Sequence, residues 1–382
     1  MIRKIILKKE ESRVQAALLE DEILVSLYCE DAGRLGKDTI VKGAVDSVSP
    51  SLNAAFVDVG DGQMGYLPLE EGMKLKKNQG IIVQVKREKF QSKGAYLSSR
   101  LSLSGRYAVL MEGMERPGVS SRIHDEEERK RLHKIAADHG DSRCGILIRT
   151  LAENQPREFI VQEINLLKKR LQKIRKTPLK KKTVVVLHRE DDILETLIKD
   201  FFDPAKDFII TNDLAAHKVC YERFKRLVPG IHERIRHYKD SYDIFDYYQI
   251  TGEIKKAGYR KVWLDCGGTL IFDHTEAMTV VDVNTGKNTS AKDFEETAFV
   301  TNMEAAREIA RQIRLRNIGG IIVVDFIDMR NKKKDHVVEE EFRRYAAMDR
   351  KAVDVGGFTR LGMFELTRQK DGRSIQGCQD EE

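Results

Sequence analysis

Two apolar runs in the C-terminal third each end in a carboxylate. TVVD closes on Asp282 and IIVVD on Asp325, and both acids follow β-branched residues that suit a sheet. Between them Phe294, Ala298, Asn302, Ala305, Ile309 and Ile313 recur every three or four residues, which predicts a helix ended by Gly319–Gly320. A strand–helix–strand unit is normally a right-handed crossover between parallel strands of one sheet, so both acids fall at the same sheet edge. On adjacent strands, about 4.8 Å apart, two carboxylates repel unless they share a proton or a cation. Oxygen ligands select a hard ion, Mg²⁺ or Mn²⁺, which keeps several waters and takes one or two protein carboxylates. Substrate phosphates would complete that shell. Asn284, two residues after Asp282, faces the same way and offers a neutral amide to a phosphate oxygen. Asp328 is read as a loop or supporting group. One acid at a strand end is more often a helix cap or a turn former; two on linked apolar strands favour chemistry.

The elements that would position a substrate come earlier. Residues 36–105 hold apolar runs of four to six residues between Gly, Asn and Asp punctuation: TIVKGAVDSV, AAFVDV, MGYLPL, IIVQVK and AYLSSRLSL. Short strands at near-regular spacing predict a small closed sheet, and their order fits a five-stranded OB barrel. Such barrels hold single-stranded nucleic acid by stacking bases on aromatics beside a basic groove. Phe56 and Tyr66 fall on the middle strands, and Lys86, Arg87, Lys89, Lys93 and Arg100 crowd the last part. Phe56 suits the core equally well. Nine Lys/Arg between Lys168 and Lys182, with no acid among them, form a second phosphate-attracting stretch, although most such runs are solvated faces.

Three short strands are expected at Ile2–Leu7, Val14–Leu19 and Ile23–Tyr28, too few to bury a core alone. Residues 106–190 mix helix (125–138 and 159–176) with strand (144–150 and 184–188), and 191–258 read as mostly helical. His232 and His237 lack cysteines at zinc-ligand spacing, and no GxSxG elbow, P-loop or dinucleotide fingerprint occurs.

Composition sets the outer limits. A chain of 382 residues, 41% hydrophobic and 34% charged, suits a folded multi-domain protein rather than a disordered one. With 67 Lys+Arg against 61 Asp+Glu the net charge is only +6, so an acidic partner must be argued from local clusters. No apolar run approaches the roughly 20 residues of a bilayer span. MIRKIILKKEESR lacks the apolar segment of a secretory signal, and Cys29, Cys144, Cys220, Cys266 and Cys378 lie far apart. An odd, scattered set argues against a disulfide framework and for a reducing, cytoplasmic setting.

TEAMTVVDVN (275–284), EETAFVTNMEAAREIARQIRLRNIGG (295–320) and IIVVDFIDM (321–329) resemble the ribonuclease E/G family of bacterial endoribonucleases, as do PSLNAAFVDVG, YLPL and RLGMFELTRQK. The resemblance runs along nearly the whole chain and implies an α+β multi-subdomain fold. An RNase H-like subdomain would combine 1–35 with 190–258, and an OB barrel of the S1 type would be inserted at 36–105. A 5′-sensor subdomain would occupy 106–189, and a DNase I-like catalytic subdomain 259–382. The resemblance places magnesium ligands on Asp282 and Asp325 with Asn284 as the accompanying polar residue. It places RNA contacts on Phe56, Tyr66 and Lys93, and a 5′-monophosphate pocket on Gly105, Val109, Arg149 and Thr150. A guanidinium can grip a phosphate in bidentate fashion while a hydroxyl donates to another oxygen. The implied activity is Mg²⁺-dependent cleavage of single-stranded, A/U-rich RNA in messenger RNA decay and ribosomal RNA processing. The alternatives are a non-catalytic RNA-binding or ribosome-assembly factor, and a nuclease directed at DNA. One departure stands out. RSIQGCQDEE carries only Cys378 where the family carries CPxC, through which two protomers share zinc, so the zinc-linked dimer lacks its usual ligands. The long scaffold of the largest members is missing too, which points to the shorter, ribonuclease G-like form.

Overall fold

Alternation shapes the two strands that carry the acids. In Met278–Asn284, Thr279, Val281 and Val283 are buried, and Asp282 and Asn284 face the other way. In Gly320–Asp325, Ile322 and Val324 are buried and Asp325 is exposed. The two strands pair in parallel, Val281 with Val324 and Asp282 with Asp325. They lie at the centre of a six-stranded sheet ordered Lys261–Trp263, Thr269–His274, Met278–Asn284, Gly320–Asp325, Phe364–Arg368, Val353–Phe358. Its other neighbours run antiparallel. Only one face is sealed; the other leaves Met278 and Ile321 partly in solvent.

The crossover helix Phe294–Leu315 buries Ala298, Asn302, Ala305, Ile309 and Ile313, the expected stripe, whereas Phe294 is exposed. Ala298, Ala305, Ile309 and Ile313 pack with Val281, Ile322 and Val324 of the strands, with Phe342 of the helix Lys332–Ala346 and with Phe364 in one hydrophobic core. Burying each large apolar side chain is worth about 1.5–3 kcal/mol, so the sheet edge carrying the acids rests on a rigid layer.

The computed structural model describes all residues except 11–12, 32–34, 90–92, 180–182, 190–192, 204, 225–230, 287–293 and 370–382. Cys378 and part of the Lys168–Lys182 run lie outside the described residues. The chain divides into two compact units, one made of Met1–Glu30, Pro204–Val219 and His232–Glu382, the other of Asp31–Asp203 and Cys220–Ile231.

The first unit also holds a five-stranded sheet, ordered Ile235–His237, Phe208–Thr211, Arg3–Lys9, Arg13–Glu20, Ile23–Asp31. Arg3–Lys9 pairs in parallel with Phe208–Thr211 and antiparallel with Arg13–Glu20. The reading of 191–258 as mostly helical holds for the described residues, which form five helices there, but it missed these two strands. Strands of 4 and 3 residues are too short to show a period; Phe208–Thr211 is made a strand by pairing with Arg3–Lys9, some 200 residues away, and Ile235–His237 by pairing with Phe208–Thr211 in turn.

The second unit contains a closed five-stranded barrel consistent with an OB fold. Ile40–Ser49 pairs with Ala54–Asp58, which pairs with Met64–Pro68; Tyr96–Ser98 follows, then Gly80–Arg87, which closes back onto Ile40–Ser49. Beside it in the same unit a four-stranded sheet (Gly118–Val119, Cys144–Ile148, Ala108–Glu112, Ser102–Ser104) is backed by the helices Glu126–His139 and Arg157–Arg175. The whole is a mixed α+β structure. No helix among the described residues is long and apolar enough to cross a membrane. Cys144 and Cys266 are free thiols, but Cys29 is disulfide-bonded. The bonded Cys29 departs from the expectation that the scattered cysteines form no disulfide framework.

Candidate active site

Asp282 and Asp325 are register partners on adjacent parallel strands and point to one face. Among the described residues no cation pairs with either. Asp325 makes no hydrogen bond there, and its carboxyl is raised above the usual carboxylate range by burial first and then by the charges of Asp282 and Asp328. The Asn284 amide donates to Asp282 Oδ2 at 2.8 Å. One amide hydrogen is thus spent on holding the acid, and the second remains for a substrate oxygen. Two uncompensated carboxylates held side by side fit a hard divalent cation with a largely aqueous shell. Among the described residues no group of three or more His, Cys, Asp or Glu is placed to hold a metal.

The loop that follows Asp325 is held by the crossover helix. Buried Asn302 donates to the Ile327 carbonyl at 2.8 Å and accepts from its N–H at 3.0 Å. Glu295 accepts the N–H groups of Arg330 and Asn331, each at 3.0 Å, which lowers its pKa. Asp328, on this loop, is exposed.

On the barrel, Ala55 and Val57 fill the core while Phe56 between them faces outward, half-buried. Phe56 pairs across the strands with Tyr66, their rings 6.1 Å apart and edge to face. Tyr66 lies 5.8 Å from Tyr96, over which the Arg87 guanidinium sits at 4.6 Å. Sequence reasoning missed Tyr96; its signal was the aromatic in AYLSS next to the basic run. Much of that run is paired within the protein: Lys86 to Gln84 and Ser102, Lys89 to Asp61, Arg100 to Glu70. Lys93 is exposed.

In the sheet beside the barrel, Arg149 follows the strand Cys144–Ile148. Its Nη1 donates to the Gly105 carbonyl at 2.6 Å, and its Nη2 to Asp200. The Thr150 hydroxyl lies 3.0 Å from that of Ser120. Val109 is half-buried on the neighbouring strand, opposite Leu147 and Ser104. Gly105 has no room for a side chain, since a Cβ would lie 2.4 Å from Cδ of Glu163. Glu163 is fixed in turn by the N–H groups of Arg106, Tyr107 and Ala108 at 2.7, 2.7 and 3.1 Å.

A family model described as Ribonuclease E/G family matches residues 102–371. Ribonuclease G of Salmonella typhimurium and of Escherichia coli are each 33% identical to the chain over 398 residues, covering 98% of it and 81% of the relative. The chain belongs to the ribonuclease E/G family. Within that family it is also similar to Ribonuclease E of a Nostoc species, 33% identical over 389 residues, which cover 97% of the chain and 56% of that relative.

The positions that the family resemblance singles out thus form three groups. Asp282, Asn284 and Asp325 share one face, Phe56 and Tyr66 share one barrel surface, and Gly105 touches Arg149, which precedes Thr150. The first group lies in one compact unit and the other two in the second.

Proposed function

We propose that the chain is an endoribonuclease that cuts single-stranded RNA at a divalent-cation site held by Asp282 and Asp325. The observation that carries this reading is the in-register pairing of the two acids with no protein cation beside them among the described residues. The names of its relatives support the ribonuclease class. Mg²⁺, with Mn²⁺ as substitute, would supply a bound water of lowered pKa and polarise the scissile phosphate. Asp282 and Asp325 hold the cation, and Asn284 fixes Asp282 while offering its second hydrogen to a phosphate oxygen. Attack by water on phosphorus with departure of the 3′-oxygen, which takes up a proton, would leave a 5′-phosphate and a 3′-hydroxyl.

The outward aromatics Phe56, Tyr66 and Tyr96 stack bases, and Lys93 meets the backbone. Base-tolerant stacking suits unstructured segments, and a preference for A/U-rich ones is what the family resemblance implies. Arg149 and Thr150, beside Gly105 and Val109, bind a 5′-monophosphate and so favour processed ends. The S1-type barrel, 5′-sensor, RNase H-like and DNase I-like parts belong to this reading, as do messenger RNA decay and ribosomal RNA maturation in the cytoplasm.

The test is cleavage of a fluorescent single-stranded oligoribonucleotide in Mg²⁺ by the wild type and by the Asp282→Asn, Asp325→Asn double variant. Loss of cleavage with RNA binding retained is expected. Turnover near the wild-type rate removes the pair from the chemistry. Binding without Mg²⁺-dependent turnover in the wild type favours a non-catalytic factor, and equal cutting of DNA of the same sequence removes the preference for RNA.

A further inference from the structure

The guanidinium assigned to the 5′-phosphate pocket is held from behind by an acid that no motif marks. Arg149 has five N–H donors. Nη1 spends one on the Gly105 carbonyl and Nη2 spends one on Asp200. Among the described residues its side chain makes no other hydrogen bond. The Asp200 side chain is only 3% exposed, and that of Arg149 is 23% exposed. The carboxylate is therefore almost sealed from solvent, whereas the Arg149 side chain is partly open to it and keeps three donors unspent.

Asp200 is itself held in place. It is the last residue of the helix Ile193–Asp200, where a negative charge opposes the helix dipole and needs a cation beside it. Buried Arg106 clamps this helix end, donating to the carbonyls of Ile198 and Phe202, both at 2.6 Å. Lys199 adds a bond to the Ser104 carbonyl at 3.0 Å. The segment Ser104–Ala108 thus carries both supports of Arg149: the Gly105 carbonyl directly, and Asp200 through Arg106.

We propose that Asp200 is a positioning residue of the 5′-phosphate pocket, holding the Arg149 fork open toward the RNA end. This rests on the reading of Arg149 as the phosphate-binding residue. A long, unrestrained Arg must be immobilised when it binds, and a pre-held one has already met that cost. The charge of Asp200 acts in the opposite direction by weakening attraction for phosphate. Geometry and charge are separable, because Asn in its place keeps an oxygen acceptor for Nη2 and removes the charge.

The experiment compares binding of 5′-monophosphorylated and 5′-hydroxyl forms of one fluorescent oligoribonucleotide in EDTA, by anisotropy, for the wild type, Arg149→Ala, Asp200→Ala and Asp200→Asn. Circular dichroism monitors folding. In the wild type and in Asp200→Asn the monophosphate should bind more tightly. In Asp200→Ala the Kd ratio should fall about tenfold, approaching that of Arg149→Ala, and a variant carrying both Arg149→Ala and Asp200→Ala should fall no further. A ratio unchanged in Asp200→Ala but lost in Arg149→Ala overturns the role of Asp200 alone. An equal loss for both RNAs leaves the ratio unmoved and also overturns it, as does an Asp200→Asn ratio as low as that of Asp200→Ala. A wild type with no preference, or an Arg149→Ala variant that keeps it, overturns the pocket reading and the proposal with it.

Discussion

If Asp282 and Asp325 await a cation, the protein without one should be strained at that point, and removing one charge should stabilise it. The carboxylates sit on adjacent strands, so their separation is about 5 Å. At that distance, in surroundings close to water because Asp325 is exposed, like charges repel by about 1 kcal/mol. Asp325 is the better of the two to change: among the described residues it accepts no hydrogen bond, whereas Asp282 holds the Asn284 amide. In a unit of 150–250 residues, about 1 kcal/mol moves the melting temperature by about 2–4 °C. The sign follows from the raised pKa of Asp325. Below the ordinary carboxylate range the folded and unfolded chains carry the same proton there, and the group costs nothing. As pH rises from the unfolded value through the higher folded value, the folded state is penalised, and at pH 7 the penalty is complete. Asp325→Asn should therefore melt about 2–4 °C above wild type in EDTA at pH 7. The gap should close toward pH 4 and shrink in high salt, which screens exposed charges. Mg²⁺ should raise the wild-type midpoint and leave the variant nearly unmoved. Differential scanning fluorimetry across pH reads all of this. A variant that melts at or below wild type in EDTA at pH 7, or that gains as much from Mg²⁺, would refute the argument from repulsion.

Other substitutions probe the remaining surfaces. Tyr66→Ala and Tyr96→Ala should each weaken binding of a single-stranded oligoribonucleotide by about 1–3 kcal/mol in an anisotropy titration, the range for one lost base stack. Lys93→Ala should flatten the salt dependence of that binding by somewhat less than one unit of slope, as expected for one phosphate contact. Gly105→Ala drives a Cβ into the anchored Glu163 and should cost about 1–3 kcal/mol in urea unfolding, along with the 5′-end preference. Asn302→Leu leaves the Ile327 N–H and carbonyl unpaired in a buried setting and should cost about 2–4 kcal/mol; a variant as stable as wild type would mean the loop does not depend on the helix.

The acid pair was legible because everything it needs is local or fixed by a general rule. Alternation within TVVDVN and IIVVD sets which way each acid points, and the handed crossover puts both at one sheet edge. The strands proved to be neighbours in matching register, the one element that sequence left conditional. The barrel was legible for a similar reason, since its strands follow one another at short spacing. Phe208–Thr211 and Ile235–His237 were not, because their strand character comes from pairing rather than from their own pattern: the first with the N-terminal strand Arg3–Lys9, the second with the first.

The residues that support the sites were hidden for a different reason. Asn302 stood in an apolar stripe, and there a polar residue at a core position was the available signal: it is buried and uses both amide groups on one backbone unit. Glu163 and Asp200 carried no such mark, as acids among the ordinary charges of helical segments. What makes them consequential is the backbone or guanidinium that folding sets against them, across 55 to 57 residues for Glu163 and 51 for Asp200. Residues that meet substrate recur with their neighbours in short motifs, because strand ends and turns must present them. Residues that hold those in place need only be opposite them in space, so a reading along the chain finds the first kind and passes over the second.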